Sequence, residues 1–214
     1  MSPEEYDAWY GTPRGRWIGE TEYRLVRSLL GPAQAARVLD VGCGTGWFTR
    51  RLAQDGARLV GVYVDRAALA FAVSRGSNVE AYVNADATRL PFADRAFDAG
   101  VSVTALCFVP RWHEALRELI RVARSRIVIG LLHRHSALWL RKGRAGGTGA
   151  YRGAHWHTRG EIEAALRSLP VRAVQFEYAV FDPSGTAASR ALEHVLPSRL
   201  PLGSFIAVRA DVAR

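Results

Sequence analysis

VLDVGCGTGWFTR, residues Val38–Arg50, is the stretch that decides the fold of this chain. Its apolar beginning predicts a buried strand, and the pattern that resumes at Phe48 predicts a helix. Between them lie Gly42, Gly44 and Gly46. Glycine is needed where a turn requires a positive φ, or where a ligand comes too close to the backbone for a Cβ. The stretch therefore predicts a strand, a tight turn and a helix, with a ligand across the turn at the carboxyl end of the first strand of an α/β sheet.

This glycine pattern resembles that of class I S-adenosylmethionine-dependent methyltransferases, in which a strand ending in an acidic residue runs into GxGxG. A dinucleotide-binding turn would read G-x-G-x-x-G, and Trp47 stands at the position of its third glycine. A phosphate-binding loop would need Gly-Lys-Ser/Thr, which this stretch lacks. The resemblance implies a Rossmann-like α/β fold, with a mostly parallel seven-stranded sheet, an antiparallel last strand and helices on both faces. It also implies S-adenosylmethionine as cofactor, held around the turn by Asp40, Gly42, Cys43, Gly44, Gly46 and Trp47.

The second strand, predicted over residues 58–64, departs from the family at its tip. The family pattern is G-V-D-x-S-x-x-M-L, whose acid accepts hydrogen bonds from both ribose hydroxyls. Aligned on the preceding Gly-Val, that position holds Tyr63, and the nearest carboxylate is Asp65. Three interpretations remain open: Asp65 takes the ribose, the Tyr63 ring lies against the ribose or adenine, or the site binds the cofactor weakly. Retained binding at Tyr63, Val64 and Asp65 is favoured, because losing one charge-assisted contact costs about 1.5–3 kcal/mol.

The segment ADATRLPFADRAFD, residues 85–98, resembles the family's D-A-x-x-L-P-F-x-D-x-x-F-D in both residues and spacing. By that resemblance Asp86 accepts a hydrogen bond from the adenine amino group, and the backbone of Ala87 meets the ring edge. An aspartate after a strand is otherwise often a turn cap. The match of the whole segment favours the cofactor role. The fourth strand follows, and its tip, from Val103 to Cys107, is expected to line the floor near the sulfonium.

The first thirty residues contain too many large rings for a disordered tail. Apolar residues recur at helical intervals from Ile18 to Leu29 and predict one amphipathic helix. In methyltransferases with this motif such a segment often covers the cofactor as a lid, which would bring Tyr10 to the site. A helix that only covers the sheet edge is the alternative. One domain is expected, with a lid at 1–32, a cofactor-binding core at 36–135, and an acceptor-side loop with the last strands at 136–214.

Two His-x-His pairs follow the predicted fifth strand: His133 with His135, and His155 with His157. Residues two apart in extended backbone share a face. We find no carboxylate or cysteine at ligand spacing beside the pairs, so a metal site is not expected. We expect instead that the four histidines line the acceptor side of the pocket, where an imidazole can take a proton from the substrate.

The composition is that of an ordinary globular protein: 214 residues, 49% of them hydrophobic and 23% charged. The net charge is +9, but Lys142 is the only lysine and the arginines are scattered along the chain, so a nucleic-acid partner is not expected. Neither a leader-like beginning nor an apolar run long enough to span a membrane is present, and the two cysteines have no disulfide or metal spacing. These features favour a cytoplasmic protein.

The sequence therefore predicts an enzyme that transfers a methyl group from S-adenosylmethionine to an oxygen, nitrogen, sulfur or carbon of a small molecule. The nucleic-acid enzymes of this fold often carry an Asn/Asp-Pro-Pro-aromatic tetrapeptide after the fourth strand, and here the chain reads TALCFVP. Two alternatives stay open: an oxidoreductase that uses a dinucleotide, and a protein that binds S-adenosylmethionine without catalysis. The acceptor and the oligomeric state cannot be predicted.

Overall fold

Seven strands form one sheet in the order β3-β2-β1-β4-β5-β7-β6 in a computed structural model that describes residues 2–213. The strands are β1 Arg37–Val41, β2 Arg58–Tyr63, β3 Glu80–Asn84, β4 Phe97–Val103, β5 Ala123–Leu132, β6 Val171–Ala179 and β7 Phe205–Val212. The helices are α1 Pro3–Trp9, α2 Pro13–Leu30, α3 Trp47–Gln54, α4 Arg66–Arg75, α5 Trp112–Val122, α6 Arg159–Arg167 and α7 Ala187–Val195. A 3₁₀ turn, Ala105–Phe108, follows β4.

Strands β1 to β5 are parallel to one another, and β7 lies antiparallel between β5 and β6. The central strands are covered on both faces, which explains their nearly continuous apolar sequence. In β5 every residue from Ile127 to Leu132 is buried, and in β1 every residue from Val38 to Val41 is buried. The predicted fold class is confirmed, including the antiparallel last strand.

Helix α2 begins at Pro13, earlier than the apolar pattern from Ile18 predicts. The side chain of Thr12 caps the helix by accepting a hydrogen bond from the backbone N–H of Gly15, and proline is favoured in the first turn. The first turns are polar because they lie at the surface, so the apolar period alone could not find them. Gly31 ends the helix at φ +70, where glycine is tolerated.

Helix α1 is held against the core by one stacked ring pair and one ion pair. The rings of Tyr10 and Trp47 are stacked, with centroids 4.4 Å apart and an interplanar angle of 12°. The carboxylate of Asp7 lies 3.0 Å from the guanidinium of Arg50, and both side chains are largely buried. These contacts place the N-terminal residues over the carboxyl edge of the sheet.

In residues 2–213 no helix combines the length and apolar character that a bilayer crossing requires.

Candidate functional site

The glycine turn after β1 adopts the backbone that its sequence predicts. Gly42, Gly44 and Gly46 have φ of +82, +56 and +79, a region that side chains with a Cβ rarely adopt. A Cβ on Gly42 would lie 2.1 Å from the Cβ of Ala105, whereas on Gly44 it would find no described atom within 4 Å. Gly42 therefore permits close packing of the 3₁₀ turn, and Gly44 leaves open space.

That space belongs to a cavity of about 550 Å³ at the carboxyl ends of β1, β2, β3 and β4. Its volume lies in the range of small-molecule and cofactor sites. Almost all residues predicted for the cofactor line it: Tyr10, Asp40, Gly42, Cys43, Gly44, Trp47, Tyr63, Val64, Asp65, Asp86, Ala87 and Val103. Gly46 is not on its wall, and a Cβ there would lie 2.6 Å from the hydroxyl of Tyr82.

Thr45, which sequence analysis did not single out, lines this cavity and carries an unpaired polar atom. Its side chain is buried on the cavity wall, and Oγ1 has no hydrogen-bond partner among residues 2–213. Buried hydroxyls almost always have a partner, so this one calls for a polar ligand. The signal in the sequence is its place between the second and third glycines of the turn.

Asp40 lies at the end of β1, buried beside the turn, and lines the cavity. Thr49 Oγ1 donates a hydrogen bond of 2.6 Å to its Oδ2. Burial raises the pKa of Asp40 to about 6, because the charged form loses its hydration, and the bond from Thr49 opposes this rise. The carboxylate is therefore ready to accept a cationic group that enters the cavity.

At the tip of β2, the contacts of Asp65 and Tyr63 bear on two of the open interpretations. Asp65 is the N-cap of α4, and its Oδ1 accepts hydrogen bonds from the N–H groups of Ala67 and Ala68 at 2.7 and 3.1 Å. Tyr63 is half-buried on the cavity wall, and burial raises the pKa of its hydroxyl, helped by the charge of Asp65. The helix cap occupies one oxygen of Asp65, and both Tyr63 and Asp65 lie on the cavity wall.

Asp86 lies after β3 and is exposed on the cavity wall beside Ala87. Its Oδ1 accepts two hydrogen bonds from Thr88, from the backbone N–H at 2.8 Å and from the hydroxyl at 2.9 Å. These bonds lower the pKa of Asp86 and keep it ionised. The turn-cap and cofactor interpretations are thus compatible, because the cap fixes one oxygen and orients the other.

The N-terminal helix supplies a wall that the sequence only partly predicted. Ser2, Pro3 and Tyr6 line the cavity together with Tyr10, and the two tyrosine hydroxyls are 3.4 Å apart. Burial raises the pKa of both hydroxyls, so both stay neutral. Tyr6 is one of the large rings of the first thirty residues, and sequence analysis did not assign it to the site.

Sequence analysis also did not notice that Glu22 lies on the buried face of α2, although the apolar stripe of this helix indicates it. It falls four residues after Ile18 and four before Val26, both of which are buried, so an acid stands in the middle of the buried face. Burial, reinforced by the charge of Glu193, raises the pKa of Glu22 to about 8. Burial is the main cause that raises the pKa of the Tyr6 and Tyr10 hydroxyls, and the charge of Glu22 is a further cause.

The four predicted histidines are absent from the cavity wall that the described residues form. His133 is buried at the end of β5, where its Nδ1 donates to the carbonyl oxygen of Gly203 at 2.9 Å. Burial lowers its pKa, so the ring is neutral. His135 is exposed, with its ring centroid 5.6 Å from that of His133. Their role on the acceptor side stays a prediction that no contact with the cavity supports.

The second pair lies beside α6, and here one expectation is wrong. A carboxylate does accompany these histidines: Oε1 of Glu161 lies 2.7 Å from Nε2 of His155, and His157 is close to both. Glu161 also forms the capping box of α6 with Thr158. Burial lowers the pKa of His157 to about 3, with the charge of His155 acting in the same direction.

Comparisons with known proteins agree with the cavity and the fold. A family model described as a methyltransferase domain matches residues 39–128. An uncharacterized protein of Mycobacterium tuberculosis is 35% identical over 190 residues, which are 85% of this chain and 62% of that protein. A malonyl-[acyl-carrier protein] O-methyltransferase of Erwinia pyrifoliae is 30% identical over 179 residues, which are 80% of this chain and 66% of that protein. The chain thus spans about two thirds, or slightly less, of the length of these relatives.

Among solved structures, an S-adenosylmethionine-dependent methyltransferase from Thermotoga maritima, a possible histamine N-methyltransferase, superposes with a TM-score of 0.80 at 22% identity. The alignment covers 98% of this chain and 95% of that one. The match reproduces the fold that the strand order and the glycine turn define. Residues 39–128 thus match a methyltransferase domain, and the chain has the fold of S-adenosylmethionine-dependent methyltransferases.

Proposed function

We propose that this chain binds S-adenosylmethionine in the cavity beside Gly44 and transfers its methyl group to a nucleophilic atom of a small molecule. The observation that carries the proposal is the open space beside Gly44, where the backbone of the turn forms the wall of the cavity. Thr45 lies on the same wall, and its buried hydroxyl has no partner in the described chain. A ligand with a carboxylate fits it, because the hydroxyl can donate to the carboxylate.

The amino-acid end of the cofactor fits the region around the turn. Thr45 offers a donor, and Asp40 offers an acceptor whose charged form an ammonium group would stabilise. The two residues lie on the same wall and are separated in sequence only by the turn itself. A ligand with both a carboxylate and an ammonium group therefore satisfies both side chains at once.

The adenosyl end fits the other side of the cavity, at the tips of β2 and β3. Asp86 has one oxygen occupied by Thr88 and lines the cavity, as an acceptor for an exocyclic amine should. For the ribose we favour Tyr63, since Oδ1 of Asp65 already caps α4. A tyrosine hydroxyl gives a weaker bond than a carboxylate, so we propose a functional but weakened ribose contact.

When bound, the sulfonium supplies an activated methyl group, so the protein needs to add little covalent chemistry. The work left for this chain is to hold the acceptor in line and to exclude water. Residues 103–106 and 108–110, together with Tyr6 and Tyr10, border the cavity on the sides that remain for an acceptor. Cys107, expected on the floor, is instead buried behind this wall, where its Sγ accepts from the N–H of Leu132. A catalytic role for His133, His135, His155 or His157 stays a prediction.

Calorimetric titration with S-adenosylhomocysteine, beside NAD and NADP, tests the proposal. We expect saturable binding of the homocysteine compound to one site, and none of the dinucleotides. At a concentration of about 100 times Kd the ligand should stabilise the fold by about 2.7 kcal/mol, which raises Tm by roughly 5–10 °C. Binding of a dinucleotide alone would refute the proposal. Tight binding with no transfer of labelled methyl to any acceptor would favour a silent binder.

A second candidate is an acceptor carried by a protein with an acidic surface. The loop of residues 134–160, after the carboxyl end of β5, has no acidic residue but six basic ones, all exposed: Arg134, Arg141, Lys142, Arg144, Arg152 and Arg159. The similar protein from Erwinia pyrifoliae is named for an acyl-carrier-protein substrate. Such a loop would steer an acidic partner to the edge of the sheet that holds the cavity.

Methyl transfer measured with different acceptors and at different salt concentrations distinguishes the two candidates. If a carrier protein docks here, the double change Arg141→Glu with Lys142→Glu lowers methyl transfer to a carrier-bound acyl group by about tenfold or more at low salt, and less at high salt. Arg58→Glu, at the amino end of β2, is the matched control. Equal transfer to the carrier-bound acyl group in all variants would favour the small-molecule acceptor.

A further inference from the structure

Three side chains with metal-ligating atoms meet at the start of α6, away from the cofactor cavity. They are His155, His157 and Glu161, and one nitrogen or carboxylate oxygen of each lies within 4.8 Å of the others. The closest pair is Nε2 of His155 and Oε1 of Glu161, 2.7 Å apart. The spacing is H-x-H-x-x-x-E, with two ligands on extended backbone and the third in the first helical turn.

The backbone that carries the two histidines is fixed on both sides. The N–H of His157 donates to the carbonyl of Leu132 at 2.9 Å, and its own carbonyl accepts from the N–H of Arg134 at 2.9 Å. The N–H of His155 donates to the carbonyl of Cys107 at 2.7 Å. These bonds anchor both histidines to the end of β5 and to the 3₁₀ turn after β4. Ligands on such a rigid support lose little freedom when they bind an ion.

Glu161 is oriented by the capping box. Its Oε2 accepts from the N–H of Thr158 at 3.3 Å, and its own N–H donates to the hydroxyl of Thr158 at 3.2 Å. The cap uses one carboxylate oxygen and leaves Oε1 directed at His155. A carboxylate held in this way by a neighbouring donor is typical of the support that metal ligands receive.

His157 supplies the observation that points to a ligand. Its side chain is 0% exposed, and in the described part of the chain neither ring nitrogen has a hydrogen-bond partner. The ring of Trp112 packs edge-on against it at 4.7 Å, and the ring of His155 lies 4.4 Å away. A buried imidazole without any partner is costly, so an ordinary core role does not explain it. An ion beside His155 and Glu161 would satisfy one of its nitrogens.

We propose that His155, His157 and Glu161 form a binding site for Zn²⁺ or a similar divalent transition-metal ion, with water as the fourth ligand. Two imidazoles and one carboxylate are a ligand set that Zn²⁺ uses with an open fourth position. In a tetrahedral site with bonds of about 2.1 Å the ligand atoms lie roughly 3.4 Å apart. The closest pair is now 2.7 Å apart and the others lie within 4.8 Å, and the side chains of His155 and Glu161 are 44% and 33% exposed, so they can adjust.

The bound ion would have a structural role. It would tie the first turn of α6 to the segment that crosses the end of β5. Through the backbone of His155 it would also hold Cys107, and hence the 3₁₀ turn Ala105–Phe108. Ala105, Leu106 and Phe108 of that turn line the cofactor cavity. The proposed site is therefore structural and is coupled to the wall of the cavity.

The test uses the full chain without a polyhistidine tag, stripped with a chelator and titrated with ZnCl₂ in a calorimeter, with no cofactor present. We expect one Zn²⁺ per chain and a higher Tm. His155→Ala and Glu161→Gln should each weaken Zn²⁺ binding by about tenfold or more. Glutamine at this position preserves the capping box, so Glu161→Gln separates the ion from the helix cap. His135→Ala, an exposed histidine of the other pair, is the control and should bind as the wild type does.

Substitution with Co²⁺ gives an independent readout, because its visible absorption reports a four-coordinate site. That absorption should appear in the wild type and in His135→Ala, and be lost in His155→Ala. The proposal is overturned if the stripped wild type takes up no Zn²⁺ saturably. It is equally overturned if His155→Ala and Glu161→Gln bind with unchanged affinity, since the ion would then lie elsewhere. Either result leaves the proposed methyl transfer untouched.

Discussion

The turn after β1 and the end of β5 lie at the same edge of the sheet, but they are built in opposite ways. At Gly44, with φ +56, an added Cβ would meet no atom of residues 2–213 within 4 Å. At Gly130, inside β5, an added Cβ would lie 2.1 Å from the ring of Phe205. One glycine borders a cavity, and the other makes room for a ring from β7. A glycine therefore marks the place of a ligand only where no neighbouring strand fills the space.

Both regions also keep a buried polar group that the described chain does not satisfy. Thr45 lies on the wall of a cavity of cofactor size, whereas the ring of His157 is enclosed by side chains. The first group lies beside space for a large ligand, and the second lies beside two side chains that can bind an ion. An unsatisfied buried polar group thus indicates a cofactor site where the edge of the sheet is open, and an ion site where side chains fill it.

The largest effect is expected from Gly44→Ala. The new Cβ projects into the open space, so binding of S-adenosylhomocysteine should weaken by about 100-fold, as expected for a clash with a closely seated ligand. The positive φ itself costs about 1 kcal/mol of stability. Calorimetric titration measures the affinity, and thermal unfolding measures the stability.

Gly146→Ala is the matched control for that prediction. Gly146 has φ +84 and, among the described residues, nothing within 4 Å of an added Cβ, but it lies in the exposed loop after β5. It should show a similar loss of stability with unchanged affinity. If Gly44→Ala also binds normally, the open space at the turn is not where the cofactor lies.

Thr45→Val should give the next largest effect, with affinity and stability changing in different directions. Removing a hydrogen bond to a charged carboxylate costs about 1.5–3 kcal/mol, so the affinity for S-adenosylhomocysteine should fall by roughly 10- to 100-fold. The free protein should be as stable as the wild type or more so, because an unpaired buried hydroxyl is removed. Thr45→Ser should retain binding. A stability loss with no change in affinity would show that the hydroxyl has a structural role instead.

The residues around the cavity could be predicted because their conformation depends on the local sequence. The positive φ of Gly42 and Gly44 and the strand that precedes them are encoded within thirteen residues of sequence. The 85–98 segment likewise places Asp86 through its own turn. What the sequence could not decide at β2, between Tyr63 and Asp65, depends on which side chain the following helix uses as its cap.

The places of the histidine pairs depend on contacts between residues far apart in the sequence, which no local pattern encodes. His133 is turned toward the carbonyl of Gly203, seventy residues later in the chain. His155 is tied to the backbone of Cys107, nearly fifty residues earlier. The capping box of Thr158 and Glu161 is a local pattern, but it does not reveal that the second oxygen of Glu161 meets His155. Pairs of histidines at strand ends are therefore weak predictors of the pocket they face.

The pH dependence of binding should isolate the role of Asp40. Its pKa of about 6 in the free protein means that the carboxylate becomes protonated as the pH falls through that value. A protonated carboxyl holds an ammonium group poorly, so affinity for S-adenosylhomocysteine should fall by about tenfold between pH 7 and pH 5. Titrations at a series of pH values measure the step, and Asp40→Asn should bind weakly without it.

Stability should change in the opposite sense, which separates the two effects. The folded pKa of Asp40 lies above its unfolded value of 3.8, so its contribution to stability is fully present below about pH 4 and is lost as pH rises through about 6. Thr49→Val removes the bond that favours the charged form and should move the binding step to higher pH. A binding curve that is flat across this range would mean that Asp40 does not hold the cofactor.

The smallest effect, and the sharpest for the tip of β2, is expected from Tyr63→Asp. If this position faces the ribose, a carboxylate replaces one weak hydrogen bond with a charge-assisted one, a gain of about 1 kcal/mol or a fivefold tighter Kd for S-adenosylmethionine. Tyr63→Phe keeps the ring and removes only the hydroxyl, so it should weaken binding slightly. Asp65→Asn should lower Tm through the cap of α4 and leave the affinity unchanged, since the cap is the contact that Asp65 makes. If instead Asp65→Asn weakens binding and Tyr63→Asp does not tighten it, the ribose lies against Asp65, which would bind it through the oxygen that does not cap α4.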